Sequence, residues 1–151
     1  MIKKRTFSID IEADKPTIWK ALWEDAHYRA WAGVFFEGSY VVADNWHKGS
    51  KVHFLAPDQS GIYSLIEQHI PNEIIWFKHI GKVVNGKEQP LDEEAKKWTG
   101  TTEVYKLTKR DGFISLEVEI GIMEEHLVFM TKTFPQAMEV IRSNSQKLLS
   151  N

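Results

Sequence analysis

The sequence predicts an α+β domain in which a curved antiparallel sheet of about seven strands wraps a long C-terminal helix, with two short helices after the first strand. Three observations predict it. Ile114, Leu116, Val118, Ile120 and Ile122 alternate with polar residues or glycine, which builds a strand with one apolar face. The period then changes. Leu127, Met130, Phe134, Met138, Ile141 and Leu148 recur at spacings of three, four or seven, the stripe of an amphipathic helix over about 124–149. Upstream, short alternating runs are separated by turn residues, so neighbouring strands are joined as hairpins and the sheet is antiparallel. A helix lying across the concave face of such a sheet leaves space for a pocket between the two layers.

The elements follow in order. Phe7, Ile9 and Ile11 alternate with Ser8, Asp10 and Glu12 in an opening strand. Asp14 is placed as a helix N-cap. Pro16 falls in the first turn, where its missing N–H costs nothing. Ile18, Trp19, Leu22 and Trp23 form the apolar face of that helix, and a second short helix over 26–31 ends at Gly33. Six further strands are expected at 36–43, 51–56, 61–69, 73–82, 101–109 and 113–122. Turn residues punctuate them at 47–50, 57–61, 70–72 and 110–112, and Asp111-Gly112 between two alternating runs is a strong hairpin signal. One connection, 84–100, is long. It holds Asn85-Gly86, Pro90 and a helical run over 92–98, where the acidic residues Asp92, Glu93 and Glu94 precede Lys96 and Lys97 in i,i+4 pairing. Connections of this length often cover binding sites. The terminal helix contains Pro135, and Thr133-Phe134-Pro135-Gln136 fits a capping box, so a break or kink is expected near 133–135.

Composition narrows the function. The 151 residues form one expected domain, 1–151, large enough to bury roughly 70% of its unfolded surface without staples. Cysteine is absent, which excludes disulfides, thiolate nucleophiles and Cys-ligated zinc and leans towards a cytoplasmic setting. Nineteen basic residues against 21 acidic ones give no electrostatic footprint for nucleic acid or an anionic membrane. The basic start Met1 to Arg5 lacks an apolar h-region, and no run is apolar enough to span a bilayer. Six tryptophans, eight phenylalanines and four tyrosines supply core, and aromatics also line apolar ligand sites.

Four stretches carry a resemblance to a known family. They are Ile9 to Ala13 followed by Pro16 to Leu22, then Tyr28-Arg29-Ala30-Trp31, then Gly49 to Phe54, and Ile70-Pro71-Asn72-Glu73 leading into Trp76-Phe77-Lys78-His79. With this element order the chain resembles the helix-grip fold of the START-like (SRPBCC) superfamily. Within it, the resemblance is to single-domain proteins related to the C-terminal domain of the heat-shock-protein-90 ATPase activator. The resemblance implies an apolar cavity between sheet and long helix that holds a small apolar molecule. It also implies two other roles, a chaperone-associated interaction module and a cyclase- or aromatase-like enzyme. Its motifs are structural rather than catalytic.

The residues themselves name no catalytic site, cofactor or metal. Gly-x-Ser-x-Gly, Walker, dinucleotide-fingerprint and His-Glu-x-x-His patterns are all missing, and the six histidines share no metal-ligand spacing. His53 and His79 lie in expected strands and can face either side. Glu103 and Tyr105 share a parity with Leu107. If Leu107 faces the helix, Glu103 does too and becomes a polar anchor or acid/base group; the opposite register leaves it in water. Glu103, Tyr105 and His79 are the polar candidates. Trp31, Phe54, Tyr63, Trp76, Trp98, Phe129 and Phe134 are the candidate cavity walls, each also suited to ordinary core packing. The 84–100 connection and the break near Pro135 are candidate gates.

Overall fold

Local sequence signals set the first elements. The computed structural model describes residues 1–150, so Asn151 of the expected domain lies outside the described residues. Strand β1 spans Ile2–Ile11. Helix α1, Lys15–Trp23, starts where Asp14 accepts a hydrogen bond from the Thr17 amide, with Pro16 in the first turn. Helix α2, Asp25–Ala32, follows at once. The indole N–H of Trp31 donates to the Leu22 carbonyl at 2.9 Å, which ties the two helices together.

The remaining strands are β2 Tyr40–Ala43, β3 Lys51–Leu55, β4 Gly61–Ile70, β5 Ile74–Val84, β6 Lys87–Glu88, β7 Thr102–Arg110 and β8 Phe113–Met123. Helix α3, Glu93–Lys96, lies between β6 and β7, and helix α4, Leu127–Ser150, follows a single 3-10 turn at Glu124–His126. The strands form one antiparallel sheet in the order β1-β8-β7-β5-β4-β3-β2, with β6 added beside β5. Between β4 and β5 the register slips twice, at Tyr63/Ser64 and at Ile66/Gln68. Such bulges bend a sheet and exchange its faces locally.

The apolar faces meet as their periods require. Leu116 and Val118 of β8, Leu107 of β7 and Ile75 and Phe77 of β5 are buried beneath Phe134, Met138 and Ile141 of α4, in one core with Ile18 and Leu22 of α1. Phe7 of β1 stacks on Phe134 at 4.8 Å between ring centroids.

Three expectations are corrected. The strand expected at 36–43 begins only at Tyr40, because the α2 C-terminus unwinds through successive turns: the amides of Phe35 and Phe36 both bond the Ala32 carbonyl, and Gly38 turns the chain at φ +86°. The break expected near Pro135 is absent, and α4 is continuous from Leu127 to Ser150. Thr133 is buried in mid-helix rather than capping it. The proline and Thr131, whose carbonyl it leaves without an amide partner, both lie on the exposed side, so that carbonyl can turn to water. The connection at 84–100 also contains a strand. Asn85 at φ +51° and Gly86 at φ +78° make a two-residue hairpin turn that brings Lys87 opposite Val84.

Candidate functional site

The site begins with the inward parity of two neighbouring strands. On β5, Ile75, Phe77 and His79 point to the core side. On β7, Tyr105 and Leu107 do the same, and Glu103 shares their face. The ladder sets Phe77 opposite Glu103 and Ile75 opposite Tyr105, which leaves Glu103 diagonal to His79. On the other side of β5, the bulge puts Ser64 directly opposite His79.

These placements create one hydrogen-bonded chain. The Ser64 hydroxyl lies 2.7 Å from His79 Nδ1, and His79 Nε2 lies 3.2 Å from Glu103 Oε1. The Tyr105 hydroxyl donates to Glu103 Oε2. The bonding is self-consistent when Ser64 donates to Nδ1 and Nε2–H donates to the carboxylate. Burial pushes the Tyr105 phenol well above its ordinary pKa, and the Glu103 charge and hydrogen bond add to the shift. Tyr28 of α2 is raised by burial and then by the same carboxylate. Both phenols thus lie close to the Glu103 carboxylate.

Beside the chain is a cleft of about 710 Å³ between the sheet and the start of α4. Tyr28, Trp31 and Phe35 close it from the α2 side, and Phe54, Ile62 and Val83 wall it from β3, β4 and β5. Ile120 and Ile122 of β8 form the floor, opposite Phe129, Met130 and Phe134 of α4. Behind the wall that Tyr28, Trp31 and Tyr105 present to the cleft, the rings cluster around Trp23. Trp23 packs within 6.4 Å, centroid to centroid, of Trp19, Tyr28, Trp31, Trp46, Phe77 and Tyr105.

The long connection forms one lip. The Asp92 carboxylate caps α3 by accepting from the Ala95 amide at 2.8 Å. Asp92 and Glu94 both bond Lys82 of β5, at 3.0 and 2.8 Å, in place of the i,i+4 pairing expected for this tract. The chain then returns to β5: Gly100 donates to the His79 carbonyl at 2.7 Å, and the His79 amide donates to Thr101 at 2.8 Å. Trp98 docks half-buried on the cleft wall.

Of the ten residues selected from sequence, the structure brings eight to this cleft: Trp31, Phe54, His79 and Trp98, with Glu103, Tyr105, Phe129 and Phe134. Tyr63 and Trp76 lie elsewhere. Trp76 is 38% exposed on the outer face, because Ile75 and Phe77 took the inner one. Tyr63 faces outward on β4, covers Gly81 and sits beside His53 and Lys51. His53 is outward as well, paired with Glu88 at 2.9 Å. Sequence reasoning missed Tyr28 and Ser64. The i,i+3 spacing of Tyr28 and Trp31 was a usable sign that both share a buried face. Nothing local marked Ser64, a polar residue on the inner parity of β4 whose partner His79 is set opposite it by the bulge in β5.

No family model matches the sequence, and comparison with curated protein sequences finds no match. Solved structures do match. The solution structure of the Aha1 dimer from Colwellia psychrerythraea aligns with a TM-score of 0.67 at 14% identity, covering 93% of each chain. Protein MLL2253 from Mesorhizobium loti aligns at 0.71 and 12% identity over 96% of this chain and 98% of its own. ChR145 from Cytophaga hutchinsonii aligns at 0.68 and 16% identity over 100% of this chain and 99% of its own. Identities this low establish the fold alone, a curved antiparallel sheet gripping a long C-terminal helix.

Proposed function

We propose that this protein binds a small, largely apolar molecule in the cleft between the sheet and α4. The observation that carries the reading is the cleft itself: about 710 Å³ of space, walled mainly by aromatic and aliphatic side chains, with one hydrogen-bonded polar group, Glu103–His79–Tyr105, at its inner end. This is the composition of a small-molecule site, where apolar area supplies affinity and a few polar atoms set orientation. Eight of the selected residues serve as wall or anchor, and the Lys82-clamped lip at 84–100 is the gate.

Native mass spectrometry of gently purified protein tests the proposal. It should reveal a co-purified small molecule, and apolar probes should raise the melting temperature; a ligand at a hundred times its Kd adds about 2.7 kcal/mol. Met130→Trp, which fills the cleft from α4, should abolish both effects while the protein stays folded. A protein that carries nothing and responds to no probe in a chemically diverse set would sink the reading.

A second reading is a chaperone-associated surface module, suggested by the likeness to Aha1. Large apolar side chains stand outside the core at Phe36, 62% exposed, and Val128, 83% exposed. Capture of purified heat-shock protein 90 that survives Met130→Trp but is lost on Phe36→Ser would favour this reading over ligand carriage.

A further inference from the structure

We infer that the molecule held in this cleft carries a cationic, hydrogen-bond-donating head, a protonated amine on an apolar body, seated against the Glu103 carboxylate. The inference rests on the binding reading above and names the ligand class for that site.

Donor and acceptor accounting leads to it. A carboxylate offers about four lone-pair sites and no donor. His79 occupies one on Oε1 and Tyr105 one on Oε2, so accepting capacity remains on both oxygens. The Tyr105 proton is committed to Glu103, which leaves its oxygen able only to accept. Both nitrogens of His79 are engaged, one by Ser64 and one by Glu103. The inner end of the cleft is therefore rich in acceptors, with the Tyr28 hydroxyl as a phenol donor on its α2 side, and a ligand group seated against Glu103 itself must donate.

Charge points the same way. Lys82 is the lysine of the wall, and Asp92 and Glu94 both hold it at the lip. His126 sits at the exposed mouth. Among the described residues lining the cleft, Lys82 is the one lysine or arginine, and two carboxylates already balance its charge. A carboxylate ligand would instead bring a second negative charge towards Glu103 in a partly desolvated space, where like-charge repulsion is far stronger than in water.

The test compares one apolar tail with three heads. Decylammonium, decanol and decanoate are titrated calorimetrically into the full chain at neutral pH, below their micellar concentrations. The amine should bind at least about tenfold more tightly than the acid, with the alcohol between them and competing for the same site. Glu103→Gln should bring amine and acid to within about threefold of each other, and Tyr105→Phe, which keeps the carboxylate, should retain the preference. If Glu103→Gln does not fold, the wild-type ratio decides. Decanoate binding as tightly as the amine, or an amine preference unchanged in Glu103→Gln, overturns the inference and leaves the binding reading standing. Failure of all three compounds to bind also overturns the inference, whereas the binding reading falls only with the mass-spectrometric and melting tests above.

Discussion

Ser64 has no exposed surface, yet its hydroxyl reaches His79 at 2.7 Å. It is a positioning residue: it fixes the ring so that Nε2 faces Glu103. Ser64→Ala should cost about 1–3 kcal/mol in urea denaturation, because it strands a buried ring nitrogen as well as removing a bond. The raised phenols make a second prediction. Tyr28 and Tyr105 ionise at higher pH in the folded protein than in the unfolded chain, so their contribution is complete below an unfolded pKa of about 10. Above it the unfolded chain loses protons first and stability falls as pH rises. Denaturant midpoints measured between neutral and strongly alkaline pH should therefore drop, and Tyr105→Phe should flatten the drop. At this scale the sequence was legible only in part. Glu103 shared a parity with Leu107, but which parity faced the helix depends on the neighbouring strands. Tyr63 went outward because Ser64 and Ile66 took the inner face of β4, a choice that the sequence of this strand, with apolar residues on both parities, does not reveal.

Helix α4 and the β3–β4 hairpin show how elements absorb local cost. Proline in a helix interior costs about 3 kcal/mol, yet Pro135 is accommodated because the stripe Phe134, Met138 and Ile141 is anchored on both sides of it. Pro135→Ala should accordingly raise stability by about 1–3 kcal/mol, or the melting temperature by about 2–10 °C, with proline's stiffening of the unfolded chain withholding part of the gain. The capping-box pattern at Thr133 misled for the same reason: tertiary packing of the stripe outweighs a local stop signal. Gly61 carries the opposite lesson. A Cβ there would sit 1.9 Å from the Phe54 carbonyl oxygen, so Gly61→Ala should destabilise by about 1–3 kcal/mol or more and loosen the Phe54 wall of the cleft, which thermal melts would register. The Asn85-Gly86 turn was readable as a hairpin, but β6 has only two residues and too little pattern to be recognised alone.

Across the whole molecule, element order, antiparallel pairing and the helix on the sheet were legible because each follows from a period or a turn residue. The volume of the cleft was not. It depends on where the large rings settle, and here Trp23 draws Trp19, Trp31, Trp46 and Tyr105 into one end. The topology has a further consequence. Every residue of β1 from Ile2 to Ile11 pairs with β8, from Met123 back to Ile114, so the two strands are partners across more than a hundred positions of chain. Closing such separations is slow. During synthesis on the ribosome, β1 must wait unpaired until β8 has emerged. Until then the inward side chains of β1, Phe7, Ile9 and Ile11, have no β8 partner strand to complete the sheet edge they belong to.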